Sequence, residues 1–328
     1  MPDTPGLRVL SRSDIAGVEI TPAEVLDVVR GAYTALADGR SDNPRKLTVK
    51  PADGHSVAYA MLARDGVRDV VAIKTSYKYD PSHDRDAQRY YTSLTLYDDT
   101  TGLPIALMDC GRVGSLRTPA VSALLAAECA PPDSSTALVI GTGTQGREAL
   151  PFLLETLPKL DRLLLSGTHP DGIASVRSTL HRHHPDRDIE IVEDLRSAAG
   201  EADVVLAVAG AGSPASVEAD WLTPTALSVL VGHGIAPSTL HRADRVVATS
   251  AAQMAVTGTD MADEQGRLPP VDAELPEILA GRASGREPGD GRVFAYNSGL
   301  VVTDIALGHR LAQLAIARGL GHEVPLWQ

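Results

Sequence analysis

The feature that most constrains this chain is a short apolar run, Thr136-Ala137-Leu138-Val139-Ile140, that ends in Gly141-Thr142-Gly143-Thr144-Gln145-Gly146. A helix-compatible segment, Arg147 to Leu157, follows without a gap. Glycines at this spacing are a weak motif alone and a meaningful one between a strand and a helix. Gly141 suits a tight turn off the strand, Gly143 lets backbone approach a pyrophosphate, and Gly146 lets the new helix pack closely on the sheet. The helix N-terminus adds free N–H groups and the positive end of the helix dipole. The stretch predicts a dinucleotide site, with Gly141, Gly143, Thr144, Gln145 and Gly146 at the cofactor.

Beyond this turn, strand and helix patterns alternate. Strands are expected at Arg162 to Ser166, Ile189 to Val192, Val204 to Ala209, Leu227 to Val231 and Val246 to Thr249, with helices at Gly172 to His183 and Leu195 to Gly200. Such βαβ alternation implies a parallel, helix-covered sheet. The first third reads differently. Leu7 to Leu10 is a short strand, and Thr21-Pro22-Ala23-Glu24 is a capping box opening a helix to about Gly39. Its apolar stripe is Val25, Val28, Val29, Ala32, Tyr33 and Leu36. Strands at Val57 to Leu62, Val70 to Thr75, Tyr91 to Tyr97 and Leu103 to Met108 fit an antiparallel or mixed sheet. Gly114 to Thr118 opens an Ala-rich helix, Pro119 to Cys129, and Asp304 to Gly319 is an amphipathic helix able to return to the first domain.

With 328 residues and 43% hydrophobic content, the chain has material for two cores. A net charge of −12 argues against a nucleic-acid or anionic-membrane partner but not against a small anionic substrate. The two cysteines, Cys110 and Cys129, form no disulfide framework and lack metal-ligand spacing, so no metal is expected. Met1 to Pro5 is not a signal peptide, and no apolar run approaches the roughly eighteen residues of a membrane span. A cytoplasmic protein is expected.

Four blocks together resemble the ornithine cyclodeaminase/mu-crystallin family: Arg45 before a strand; Ala72-Ile73-Lys74; Tyr97-Asp98-Asp99-Thr100-Thr101-Gly102-Leu103-Pro104 running into Gly114-Ser115-Leu116-Arg117-Thr118-Pro119-Ala120; and Val139 to Gly146. The tail Asn297-Ser298-Gly299-Leu300, then Asp304-Ile305-Ala306-Leu307, also fits. The resemblance implies an α/β fold. A Rossmann-type, doubly wound parallel sheet domain (117–301) is inserted in an α+β substrate-binding and dimerisation domain (1–116 and 302–328). It also implies a homodimer, a nicotinamide cofactor and an amino- or imino-acid substrate, with Arg45, Lys74 and Arg117 on the substrate carboxylate. Thr118 and Ser298 join the cofactor set.

The basic residues also make sense by themselves. A bidentate arginine holds a carboxylate so that the α-C–H can be oriented. Lys74 ends the apolar run Val70 to Ile73, where an unpaired ammonium is costly. Arg117, read at a helix start, sits against the dipole unless an anion is there. For Arg45 the neighbouring Lys46 is a competitor, and surface charge is the alternative for all of them.

Two departures from the family shape the functional reading. Family cyclodeaminases carry an aspartate after the strand corresponding to Leu227 to Val231; here Val231-Gly232-His233-Gly234-Ile235-Ala236-Pro237-Ser238-Thr239-Leu240 has no carboxylate, and Gly234 falls at that position. His233 becomes the candidate proton carrier together with Lys74 in the catalytic set, the alternative being a loop histidine bonded to backbone. The second strand ends Leu165-Ser166-Gly167-Thr168-His169 without the acid that binds an NAD ribose. Ser166, Thr168 and His169 can hydrogen-bond a 2′-phosphate, so the choice between NAD and NADP leans to NADP.

The sequence thus points to an NAD(P)-dependent oxidoreductase on the CH–NH or C=N bond of an amino or imino acid. Two alternatives stay open: a cyclodeaminase-type ammonia lyase with recycled NAD, and a non-catalytic mu-crystallin-like NADPH/ligand-binding protein. The loop Tyr77 to Tyr90 is expected to shape the pocket.

Overall fold

The computed structural model describes residues 6–50, 55–79 and 89–327. The opening pentapeptide read above for a signal, and 80–88 of the expected pocket loop, lie outside the described residues. The chain divides into two compact units: Met1–Thr21, Gly31–Arg117 and Leu300–Gln328 form one, Pro22–Arg30 and Thr118–Gly299 the other.

The first unit is built on β1 (Leu7–Leu10), β2 (Leu47–Val49), β3 (Ser56–Asp65), β4 (Val70–Tyr79), β5 (Arg89–Asp98) and β6 (Pro104–Asp109). Helices α1 (Arg12–Ala16), α2 (Pro22–Ala37) and α3 (Gly111–Cys129) intervene or follow. The sheet is mixed: β1 and β6 are parallel, while β2–β3, β3–β4, β4–β5 and β5–β6 are antiparallel. β3, β4 and β5 each run ten residues, longer than their apolar patterns alone predict. Alternation sets two faces. Along β4, Val70, Ala72, Lys74 and Ser76 are buried, whereas Ile73, Thr75 and Tyr77 are exposed. Leu47, Val49, Leu62, Ile73, Tyr77 and Tyr91 leave the outer face strongly apolar.

The second unit holds β7 (Thr136–Ile140), α4 (Thr144–Thr156), β8 (Arg162–Ser166), α5 (Pro170–His183), β9 (Glu190–Ile191), α6 (Leu195–Glu201), β10 (Val204–Ala207), β11 (Leu227–Leu230), α7 (Pro237–His241), β12 (Arg245–Ala248), α8 (Ala251–Thr257), β13 (Ala273–Glu274), α9 (Leu275–Leu279) and β14 (Val293–Tyr296). Its sheet is parallel in every pairing, in the order β13-β12-β14-β11-β10-β7-β8-β9. Read from β9, this is the Rossmann order 3-2-1-4-5, which reverses between β7 and β10, the place where such sheets bind ligands. The chain then returns to the first unit through α10 (Val301–Ala317) and β15 (His322–Val324), which pairs antiparallel with β1.

Two expectations need correcting. The helix opening near Pro119 begins instead at Gly111 and runs through the proline, so Arg117 stands in the helix body. A proline inside a helix costs a hydrogen bond rather than always marking a start. The dipole argument for an anion at Arg117 therefore falls away. The sequence pattern also missed β13 and β14, the latter inserted between β11 and β12. Val293-Phe294-Ala295-Tyr296 is as long as β10 and β11, but it follows a Gly- and charge-rich loop instead of a helical pattern, so the strand–helix alternation does not mark it.

Candidate active site

Helix α10 packs on β3, β4 and β5, and its approach to β5 is set at Gly308. A Cβ there would run into the Leu94 side chain. Leu94 is the register partner of Lys74. Asp304 lies four residues before Gly308, on the same helix face. The close approach that glycine permits thus brings a carboxylate over Lys74. Helix α3 repeats the logic: Val113 lies beside Gly308, and Arg117, one turn on, reaches Asp304.

The three side chains form one cluster, with Lys74 and Asp304 buried and Arg117 half-buried beside them. Lys74 Nζ donates to Asp304 Oδ1 at 2.8 Å, and Arg117 Nε donates to the same oxygen at 3.0 Å. Asp304 is 2% exposed and Lys74 6%. Burial alone pushes the Asp304 carboxyl upward, but Arg117 and Lys74 more than offset it and hold the group below the ordinary carboxylate range. Burial likewise pulls at the Lys74 ammonium, and Asp304 overcomes this to leave its pKa raised. Two neighbours stay neutral. Burial pushes the Cys110 thiol up to about 11, and it pushes the Tyr33 phenol well above its ordinary value. The Tyr33 hydroxyl is fully buried and, among the described residues, has no hydrogen-bond partner.

Two cations therefore share one carboxylate with no second anion among these neighbours, and the buried group carries an excess positive charge. Buried charge is tolerated when paired. A cluster with one cation too many is electrostatically suited to an added anion. Asp304 joins Lys74 and Arg117 from the tail Asp304-Ile305-Ala306-Leu307, for which no site role was expected from the sequence. The signal was available: a buried lysine needs a carboxylate, and Asp304 is an acid set among Val301, Val302, Ile305, Ala306 and Leu307.

Arg45 is exposed ahead of β2, outside this cluster. Its neighbour Lys46 is half-buried, with its ammonium 4.9 Å from the centre of the Tyr59 ring. A groove of about 760 Å³ is lined by Leu47, Val49, Tyr77 and Tyr91 among others, and none of Lys74, Arg117 and Asp304 is in its lining.

In the second unit the glycine turn has the shape a dinucleotide needs. Gly141 adopts φ +112°, and a Cβ on it would sit 2.8 Å from the Ala209 backbone. A Cβ on Gly146 would strike the Gly141 carbonyl oxygen, whereas Gly143 opens on free space. Gly143 is the N-cap of α4 and offers no side chain to its N–H groups. Thr144 opens that helix and Gln145 follows it. The residues present thus fit a pyrophosphate. The Thr142 side chain fills the space left by Gly167 and Gly172, which explains why the turn after β8 is glycine-rich.

That turn places Ser166 at the end of β8, half-buried, with Thr168 and His169 exposed. Gly141 N–H donates to the Ser166 carbonyl at 2.9 Å, joining the two turns. Ser298 and Thr249 share a hydroxyl hydrogen bond at 2.7 Å, and the Thr118 carbonyl accepts from Asn297 Nδ2 at 3.1 Å. His233 is exposed and exchanges backbone hydrogen bonds with Ala209, the residue that walls Gly141. Next to it Gly234 adopts φ +121°, a conformation that resists a side chain.

The sequence model of the ornithine cyclodeaminase/mu-crystallin family matches residues 8–313. The chain is 25% identical over 334 residues to N-((2S)-2-amino-2-carboxyethyl)-L-glutamate dehydrogenase of Staphylococcus aureus, spanning 97% of this chain and 98% of that protein. Its fold is similar to that of Thermococcus litoralis Delta(1)-pyrroline-2-carboxylate reductase in complex with NADH and L-proline, with a TM-score of 0.81 and 23% identity over 97% of this chain and 100% of that one. An archaeal alanine dehydrogenase dimer with bound NAD gives a TM-score of 0.82 and 19% identity, over 98% and 99%.

Proposed function

The chain belongs to the ornithine cyclodeaminase/mu-crystallin family, and from that premise we propose that it is an NAD(P)-dependent oxidoreductase acting on the CH–NH or C=N bond of an amino or imino acid. The observation that carries the proposal is the buried cluster of two cations on one carboxylate oxygen. An α-carboxylate supplies the missing negative charge. Lys74 and Arg117 then bind it, while Asp304 keeps both cations charged and aimed.

The glycine turn, Thr144, Gln145 and the α4 N-terminus are the proposed seat of the dinucleotide, with Ser166, Thr168, His169, Thr118 and Ser298 around it. The nicotinamide, when bound, supplies or accepts the hydride. His233 or a bound water moves the proton at nitrogen. A recycling cyclodeaminase is disfavoured, because the position expected to bear its aspartate is Gly234, whose backbone conformation suits glycine.

The cofactor preference is proposed to be NADP, supported by the absence of an acid from Leu165 to His169. We assign the protein to the cytoplasm, a reducing compartment that suits its two buried, unpaired cysteines. Among the described residues no helix is long and apolar enough to cross a membrane. A homodimer through the outer face of the first sheet is proposed, since Leu47, Val49, Tyr77 and Tyr91 stand exposed there.

The test is NADPH and NADH oxidation at 340 nm against a panel of cyclic and linear imino acids, with the nucleotide released by denaturation identified by mass. Saturable oxidation of NADPH with an imino acid is expected. Tightly held NAD⁺ and ammonia release without net redox would replace this reading by the lyase.

A further inference from the structure

Lys46 stands one residue before β2, and the sheet register says where. Leu47 pairs with Ala60, so Lys46 lies opposite Met61, and Met61 pairs with Lys74. Lys46, Met61 and Lys74 therefore form one row across three neighbouring strands, with the lysine α-carbons about 10 Å apart at the usual strand spacing. Parity gives the face. Leu47 is 68% exposed on the outer side, which turns Lys46 to the inner side with Lys74.

A second observation agrees. The Lys46 ammonium lies over the Tyr59 ring, and Tyr59, two residues from Met61 on β3, belongs to that inner face. Among the described residues Lys46 has no ion pair; its one recorded polar contact is the aromatic ring. Half-burial, with Lys50 nearby, depresses its pKa, an environment that an added anion would relieve. Asp304 is already shared by Lys74 and Arg117.

We propose that Lys46 is a specificity-determining residue that binds a second anionic group, so that the substrate is a short dicarboxylic amino or imino acid. The inference rests on the reading of Lys74 and Arg117 as the α-carboxylate site. One carboxylate occupies that pair, and the side-chain carboxylate reaches along the row to Lys46, whose ammonium exchanges a ring face for a charge-assisted hydrogen bond. Lys46 does not take part in bond making. It selects by charge.

The experiment compares isosteric pairs that differ only in that charge: L-glutamate against L-glutamine, and L-aspartate against L-asparagine. Binding is measured by calorimetry on the full chain saturated with oxidised cofactor, so the result does not depend on turnover. The wild type is expected to bind one acid at least about tenfold tighter than its amide. Lys46→Met should reduce that ratio to within about threefold, with unchanged thermal stability, and Lys46→Arg should restore it. Equal binding of acid and amide by the wild type overturns the proposal, as does a preference that Lys46→Met leaves intact. The α-carboxylate reading is judged separately: if Lys74→Ala binds all four amino acids as tightly as the wild type, that reading fails first.

Discussion

The two proposed anion sites of this protein work by opposite means. In the second unit the turn after β7 offers backbone: an uncapped helix N-terminus and a glycine, Gly143, that leaves room for a ligand. No cationic side chain belongs to the Gly141-to-Gly146 segment. In the first unit the site is side-chain charge, with Lys74 and Arg117 converging on a single oxygen of Asp304. The difference suits what each must do. A pyrophosphate is long and held by dipoles over several atoms, whereas an α-carboxylate must be fixed at one point so that the carbon beside it is aimed. A dipolar site tolerates being empty. A charged one needs an internal counter-ion, and Asp304 is that counter-ion.

If the two sites are independent, they should fail independently. Lys74→Ala is expected to reduce kcat/KM on the order of 10³-fold, since it removes a charged donor from the α-carboxylate whose grip aims the reacting carbon, while the NADPH dissociation constant stays within about twofold. Gly146→Val should do the reverse. Its side chain meets the Gly141 carbonyl, so nucleotide binding is expected to weaken by about 10²-fold as the turn is overpacked. Loss of nucleotide binding in Lys74→Ala, read by fluorescence titration, would break the comparison.

Asp304→Asn tests the counter-ion itself. It leaves the buried Lys74 and the half-buried Arg117 without a carboxylate, and a loss of about 3 kcal/mol in unfolding free energy is expected by urea denaturation at pH 7. The pH dependence carries a sign. Asp304 is held below its ordinary carboxylate value, so its contribution is complete above about pH 4 and is lost as pH falls through the depressed native value. Lys74 is raised, so its share is complete below about pH 10 and is lost as pH rises past the native value. The wild type should therefore lose stability on both flanks, and Asp304→Asn should lose the acid flank. An acid limb of the same depth in that variant would show that other carboxylates set it.

The same contrast explains what was legible in the chain. The nucleotide turn is contiguous, and its glycine spacing between a strand and a helix is a local pattern, so Gly141, Gly143 and Gly146 could be read directly. Most of the alternating strands around it were legible for the same reason; β13 and β14, which fall outside a regular strand–helix alternation, were not. The cation cluster joins residues 74, 117 and 304 through the register of β4, a glycine contact on α10 and one turn of α3. A charge at Lys74 announced that a partner must exist. An acid in the apolar run after Leu300 was visible, but nothing local tied Asp304 to Lys74, because the pairing is made by packing across more than two hundred positions. The misplaced start of α3 has the same origin: proline preference is a local rule, and the helix is held by burial that is complete from Thr118 to Ala126, around the proline itself.

The smallest expected effect sharpens the comparison most. Tyr33 lies within electrostatic reach of Arg117 and Asp304, yet its hydroxyl is buried and, among the described residues, bonded to nothing. A buried orphan hydroxyl destabilises a fold, and removing it without changing shape is neutral or favourable. Tyr33→Phe should therefore raise the unfolding free energy by up to about 1 kcal/mol. The hydroxyl becomes useful once a substrate carboxylate draws Lys74 and Arg117 toward itself, because Asp304 Oδ1 then loses donors that a phenol can replace. On that account Tyr33→Phe gains stability and, at the same time, raises KM by roughly threefold with nucleotide affinity unchanged. A variant that is less stable than the wild type would mean that the hydroxyl already has a partner in the free protein. The cluster would then be a structural anchor closed to ligand, and the side-chain site would lose the property that separates it from the backbone site: a charge imbalance waiting for an anion.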